Sequence, residues 1–207
     1  MGRQSLSELK WRSNFLGETP GDEQVGGQPR QNPGVCWSRV EPTRVPNPVL
    51  RMWSEEMAET LNLEQGDGQV LGGNRLVEGM DPYAQRYGGH QFGNWANQLG
   101  DGRAITLGEV DTGPDVLELQ LKGPGKTPYS RFADGKAVLR SSIREYLCSE
   151  LCTISEFQQR GLYPWSRQEK MLFEMSCTTE IQHRSKVQLF VELPRVFFGL
   201  VPSRFIR

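Results

Sequence analysis

Gly100, Gly102 and Arg103 stand in a short glycine-bearing turn, Lys122 ends the next apolar run, and Glu145 follows that lysine by 23 residues. Glycines let a backbone approach a phosphate chain closely, a cation at a strand end holds its charge, and a helix carboxylate can orient the cation. The chemistry such a set serves is the binding of a nucleoside triphosphate. Each piece also has a plainer reading: a Gly-x-Gly turn is often only a turn, Lys122 suits a solvated strand tip, and Glu145 suits an exposed helix face. Three and four residues from Glu145 stand Ser141, Ser142, Cys148 and Ser149. No basic side chain lies where a helical ion pair needs one, so any cationic partner comes from another element.

Gly125-Lys126-Thr127 looks like the end of a phosphate-binding P-loop, which requires a glycine five positions before Gly125. Gln120 occupies that position inside an alternating apolar run, and the P-loop is excluded. The arrangement that remains is a glycine turn, a strand lysine, a loop and a helix glutamate. The same logic places the strand lysine and helix glutamate of protein kinases.

These residues need elements to hold them. Gly100-Asp101-Gly102 leads into a strand expected over Arg103 to Val110, and Leu117, Leu119 and Leu121 alternate with Glu118, Gln120 and Lys122 in a second strand, Val116 to Lys122. Gly123 to Gly135 reads as a flexible loop. Ala137 to Cys152 reads as a helix whose buried stripe is Leu139, Ile143, Leu147 and Leu151, with Glu145 nearly opposite among small residues that admit another element closely. Upstream, Leu50, Trp53, Met57 and Leu61 predict a surface helix over Val49 to Leu63, and Gly66 to Gly100 holds nine glycines. Residues 1–48 are polar, broken by Pro and Gly, and read as an extended N-terminal arm. The expected fold class is α+β, a small antiparallel sheet plus a helix, with domains at 1–48 (arm), 49–150 (nucleotide-binding lobe) and 151–207 (tail).

Composition narrows the partners. Twenty-four basic residues against 25 acidic ones give a net charge of −1, without the positive field of a nucleic-acid binder. Cys36, Cys148, Cys152 and Cys177 lack zinc-ribbon spacing, and two histidines, His90 and His183, are too few for a histidine-rich metal site. No apolar run is long enough to span a membrane. Acidic residues in the first 30 positions spoil the look of a transit peptide.

The runs Tyr87-Gly88-Gly89-His90-Gln91-Phe92-Gly93-Asn94, Gln98-Leu99-Gly100-Asp101-Gly102-Arg103, Glu118-Leu119-Gln120-Leu121-Lys122-Gly123, and Asp134-Gly135 through Leu139-Arg140-Ser141-Ser142-Ile143-Arg144-Glu145 together resemble the selenoprotein O family. The resemblance begins near Leu9 and continues to Glu150. It implies a kinase-like N-terminal lobe that binds ATP in a flipped orientation with Mg2+, and transfers AMP to Ser, Thr or Tyr hydroxyls of proteins. Carried over position by position, Gly100, Gly102, Arg103, Lys122, Asp134 and Gly135 match nucleotide contacts, and Glu145 matches the partner of the lysine. The family's catalytic aspartate and metal ligands lie in a C-terminal lobe that is not matched, so no catalytic or metal residue is assigned and the chain alone is expected to be inactive. A non-catalytic nucleotide-binding regulatory fragment is the alternative, and a conventional protein kinase is a third reading that the specific runs disfavour. By family analogy the location is mitochondrial for a eukaryotic chain and cytoplasmic otherwise. After Glu150 the resemblance stops. Codons for Leu151 to Tyr163 and for Phe197 to Ile206 can be chosen so that a neighbouring frame resembles the family, and the expectation is a reading frame lost after Glu150.

Overall fold

The computed structural model describes residues 2–154, except 92, 114 and 115, together with Ser176–Cys177; residues 91, 149–154 and 176–177 are described by their backbone alone. The rest of the expected tail, Arg207 included, lies outside the described residues. In chain order the elements are β1 (Trp11–Arg12), α1 (Asn14–Glu18), β2 (Gly21–Asp22), β3 (Trp37–Arg39), β4 (Leu50–Met52), α2 (Glu55–Thr60), α3 (Gly68–Leu71), β5 (Tyr83–Tyr87), β6 (His90–Gln91), β7 (Asn94–Trp95), β8 (Leu99–Gly100), β9 (Ala104–Asp111), β10 (Val116–Lys122), α4 (Leu139–Ile154) and β11 (Ser176–Cys177).

The organising pair is β9 with β10, antiparallel from Asp111 opposite Val116 to Ala104 opposite Lys122. Alternating leucines on β10 and the apolar run of β9 suit strands covered on both sides. A bulge skips Leu107 in the register, and the Leu107 carbonyl accepts from the Asp81 N–H at 2.9 Å, tying the chain ahead of β5 to this strand. The free edge of β9 takes β1 at Glu109 and Val110 and β5 at Thr106, and the sheet continues through β3 to β2, with β8 on β5. The fold is α+β, as expected, but the sheet is a curled, seven-stranded, mixed one rather than a small antiparallel one. β2 and β3 run parallel because the long connection between them returns the chain in the same direction, which no tight hairpin can do.

Residues 2–48 therefore supply three strands to the sheet. Gln4 bridges to Leu63, and Leu6 and Leu9 enter the main core beside Leu61, Leu63, Leu71, Leu119 and Leu121. A second, smaller cluster joins Val40, Ala84, Ile105 and Tyr129, and this one underlies the site.

Two expected helices differ. Over Val49 to Leu63 the chain forms β4 and then the short α2, because Ser54 takes extended backbone angles and starts the helix at Glu55 with two acids in its first turn. The stripe residues Leu50, Trp53, Met57 and Leu61 still pack into the main core. On α4 two members of the expected buried stripe face outward, Ile143 and Leu147 being 38% and 54% exposed, and Leu139 is half-buried, while Ser142 is fully buried and Ser141 nearly so. At the start of α4 the covered side chains are therefore the serines.

Leu121→Ala removes a fully buried side chain from the main core. The expected cost is roughly 3 kcal/mol, against less than about 0.5 kcal/mol for Val116→Ala at the exposed start of the same strand, read from urea unfolding midpoints.

Candidate functional site

The turn between β8 and β9 is built on a buried carboxylate. Asp101, 3% exposed, accepts from the Gln85 N–H at 3.2 Å and from Gln120 Nε2 at 3.3 Å, which fixes the turn to β5 and β10. Gln120 also reaches Thr106 Oγ1 at 3.2 Å, and Glu118 accepts from Thr106 and Gln85, so the polar face of β10 is paired rather than solvated. The loop after β10 is then sewn onto the turn. Thr127 Oγ1 donates to the Asp101 carbonyl and Ser130 Oγ to the Gly102 carbonyl, each at 2.5 Å, and Ser130 Oγ accepts from the Thr127 N–H at 2.8 Å. The loop expected to be flexible is pinned here by side-chain bonds to backbone carbonyls, a pattern that periodicity does not reveal.

Glycine is required where these two segments touch. A Cβ on Gly100 would lie 2.4 Å from Tyr129 Cγ, and one on Gly102 would lie 2.9 Å from the Tyr129 carbonyl. Farther along the loop Gly135, at φ +74°, would carry a Cβ 2.0 Å from the Gly125 carbonyl oxygen. The Asp134 carboxylate accepts from the Lys136 N–H at 3.0 Å and shapes this turn.

Between turn and loop lies an open cleft of about 370 Å³. Arg103, Arg131 and Lys136 give it three cationic side chains, while Tyr87, Leu99 and Tyr129 give it aromatic and apolar walls. Gly100, Gly102 and Gly135, with Ser130 and Ala133, complete its lining, and among the described residues no carboxylate does so. The arrangement suits a ligand with a flat apolar part and a polyanionic part.

Of the seven residues expected at the site, Gly100, Gly102, Arg103 and Gly135 meet in the cleft; Asp134 is exposed at its rim beside Gly135. Lys122 stands outside the lining but close to it, because Lys122 pairs with Ala104 and the Gly123 N–H bonds the Arg103 carbonyl at 2.7 Å. One oxygen of Glu145 accepts from Ser141 Oγ at 3.1 Å and the other is buried without a hydrogen-bond partner among the described residues. Arg131, Lys136, Tyr87, Tyr129 and Ser130 were not singled out from sequence. A cation-rich, aromatic-bearing loop directly after the lysine strand was the signal available for the four that follow Lys122, whereas Tyr87 stood only in a run quoted for the family resemblance.

Tyr129 connects the cleft to the N-terminal segment. Its hydroxyl meets Ser38 Oγ at 2.7 Å, and burial pushes the phenol above its ordinary range. Behind Ser38 stands Asp22. Burial opposes its ionisation, but the Arg30 guanidinium, the Gln24 N–H and the Ser38 hydroxyl outweigh that effect, and its carboxyl titrates below the usual range.

The sequence profile of the family described as Protein adenylyltransferase SelO matches residues 30–158, more than half of the chain. The chain belongs to that family. Curated relatives described as Protein nucleotidyltransferase YdiU agree: the one from Methylobacillus flagellatus is 56% identical over 149 residues, covering 69% of this chain and 29% of its own length. Those from Azoarcus sp. and Xanthomonas euvesicatoria are 57% and 53% identical over 152 residues, each match covering 70% of this chain and 29% of the relative. This SelO-family chain thus spans under a third of the length of the relatives it matches, and it is a nucleotidyltransferase-family sequence. Among the described residues no helix is long and apolar enough to cross a membrane.

Gly135→Ala places a side chain at positive φ and against the Gly125 carbonyl. The left-handed conformation alone costs about 1–2 kcal/mol and the clash adds to it, whereas Gly17→Ala, with open space around it, is expected to leave thermal unfolding unchanged or slightly raised.

Proposed function

We propose that the cleft is the ATP-binding part of a protein adenylyltransferase with a kinase-like lobe, which transfers AMP to Ser, Thr or Tyr hydroxyls of protein substrates. The observation that carries this reading is the convergence of Arg103, Arg131 and Lys136 on a cleft lined by the glycine turn and by Tyr87 and Tyr129. The aromatic walls would take the adenine, and the cations would hold the phosphates. Lys122, across the ladder from Ala104, would reach phosphates that extend past Arg103. Asp134 with Gly135 would present backbone groups at the rim, and Glu145, with a buried oxygen lacking a partner among the described residues, is the carboxylate nearest in role to a lysine orienter.

AMP transfer needs the phosphate next to adenosine to be exposed to an attacking hydroxyl while pyrophosphate leaves, and positive groups beside the phosphates lower the charge that opposes the attack. Arg103 and Lys122 supply that electrostatic part. The cleft's lining lacks a carboxylate to take the hydroxyl proton, and no group of three or more His, Cys, Asp or Glu converges among the described residues. These residues therefore do not fit a Mg2+ site of their own, and the reading gives them the nucleotide alone. The proton acceptor would come from outside the described residues.

ATP is expected to bind the chain in isothermal titration, and Arg103→Ala and Lys122→Ala are each expected to weaken it about tenfold or more, the loss of one charged hydrogen bond. Absence of binding, or equal affinity in the variants, overturns the assignment. Incubated with ATP labelled at the α-phosphate, Mg2+ and a protein acceptor, these 207 residues are expected to transfer no label. Labelled acceptor would show that the chain supplies its own proton acceptor, and label transferred from the γ-phosphate instead would point to a kinase.

A further inference from the structure

The N-terminal segment is bonded to the cleft through one carboxylate that neither the family match nor the expected contacts include. Asp22 Oδ2 accepts from Arg30 Nε at 2.9 Å, from Arg30 Nη2 at 2.7 Å, from Asn32 Nδ2 at 2.6 Å and from Ser38 Oγ at 3.2 Å, while Oδ1 accepts from the Gln24 N–H at 3.0 Å. A carboxylate only accepts, so Ser38 spends its single proton on Asp22. Ser38 Oγ is then an acceptor for its other two neighbours, Asn32 Nδ2 at 2.8 Å and the Tyr129 hydroxyl at 2.7 Å. With the Ser38 proton on Asp22 the phenol donates to Ser38, and the chain of bonds runs from Tyr129 through Ser38 to Asp22 with its donors directed toward the charge. Ser38 is fully buried and Tyr129 is 9% exposed, so water does not substitute freely for either bond.

The same segment holds the rest of the cleft wall. The Arg30 N–H donates to the Pro128 carbonyl at 3.1 Å, and Gly27 lies so close to the loop that a Cβ there would sit 2.4 Å from the Lys126 carbonyl oxygen. On the other side Gln98, just ahead of the glycine turn, accepts from the Asn32 N–H at 2.9 Å and donates to the Arg30 carbonyl at 2.8 Å. Tyr129 is the piece common to arm and cleft: its ring backs Gly100 and lines the cavity, while its hydroxyl ends in the arm.

We propose that Asp22 is a positioning residue for the cleft, fixing the Tyr129 ring through Ser38 and so setting the affinity for nucleotide. This rests on the nucleotide reading of the cleft. Asp22→Asn keeps the shape, removes the charge and sets an amide NH2 against donors, either the Gln24 N–H or Arg30, Asn32 and Ser38; Tyr129→Phe keeps the ring and removes only its tether. ATP titrations of the full chain, at a temperature where every variant is folded by circular dichroism, test the coupling. Each single variant is expected to weaken ATP binding about fivefold or more, and the double variant no further than the weaker-binding single one, because both cut the same chain of bonds. Arg12→Ala, which removes an ion pair with Asp111 elsewhere in the arm, is expected to leave affinity unchanged. A Tm lowered with affinity intact, or effects of the two substitutions that multiply in the double variant, makes the arm a mere brace and overturns the inference. An unaltered chain that binds no ATP fails earlier, at the cleft's reading, and takes the inference with it.

Discussion

The approach of two backbone segments without side chains between them is the constraint on which the site depends. Gly100 and Gly102 lie against Tyr129 at distances that leave no room for a Cβ, and Thr127 and Ser130 hold the segments there by bonds to the Asp101 and Gly102 carbonyls. A cleft arises because the segments touch at Tyr129 and part toward Arg103, Arg131 and Lys136. The buried carboxylate of Asp101 fixes one segment to the sheet, and the arm fixes the other. Glycines at such a turn are commonly ascribed to close approach of a phosphate. In this chain their first duty is to their own protein, and any ligand meets a surface that is already formed.

The long strands were legible because their patterns are local. Leu117, Leu119 and Leu121 alternate, and the strand they form has the predicted bounds. The face of α4 was not legible: a four-residue apolar repeat tells where a helix is amphipathic, but which side is covered depends on partners distant in sequence, and here Ser141 and Ser142 are the seated residues. The helix expected over Val49 to Leu63 failed for a related reason, since the apolar positions there are shared between β4 and α2. The arm concealed its contribution because Leu6 and Leu9 are isolated apolar residues in a polar run, and a parallel pairing such as β2 with β3 has no local turn signal.

The candidate site was partly visible in the same way. Glycines and Arg103 stand together in sequence and meet in the cleft, whereas Arg131 and Lys136 sit in a loop whose order comes from hydroxyl-to-carbonyl bonds that composition does not reveal. Glu145, which spacing made conspicuous together with Lys122, accepts from Ser141 on its own helix. The resemblance to the selenoprotein O family rested on continuous runs, and the family match over residues 30–158 bears it out.

If the cleft is a nucleotide site, its occupation must be felt by both segments that form it. Backbone amide shifts of the 15N-labelled chain, recorded while ATP is added, test this most directly. The account predicts saturable changes concentrated at Gly100 to Arg103 and Tyr129 to Lys136. Saturable changes confined to other parts of the sheet, or spectra that ATP leaves unchanged, would contradict it.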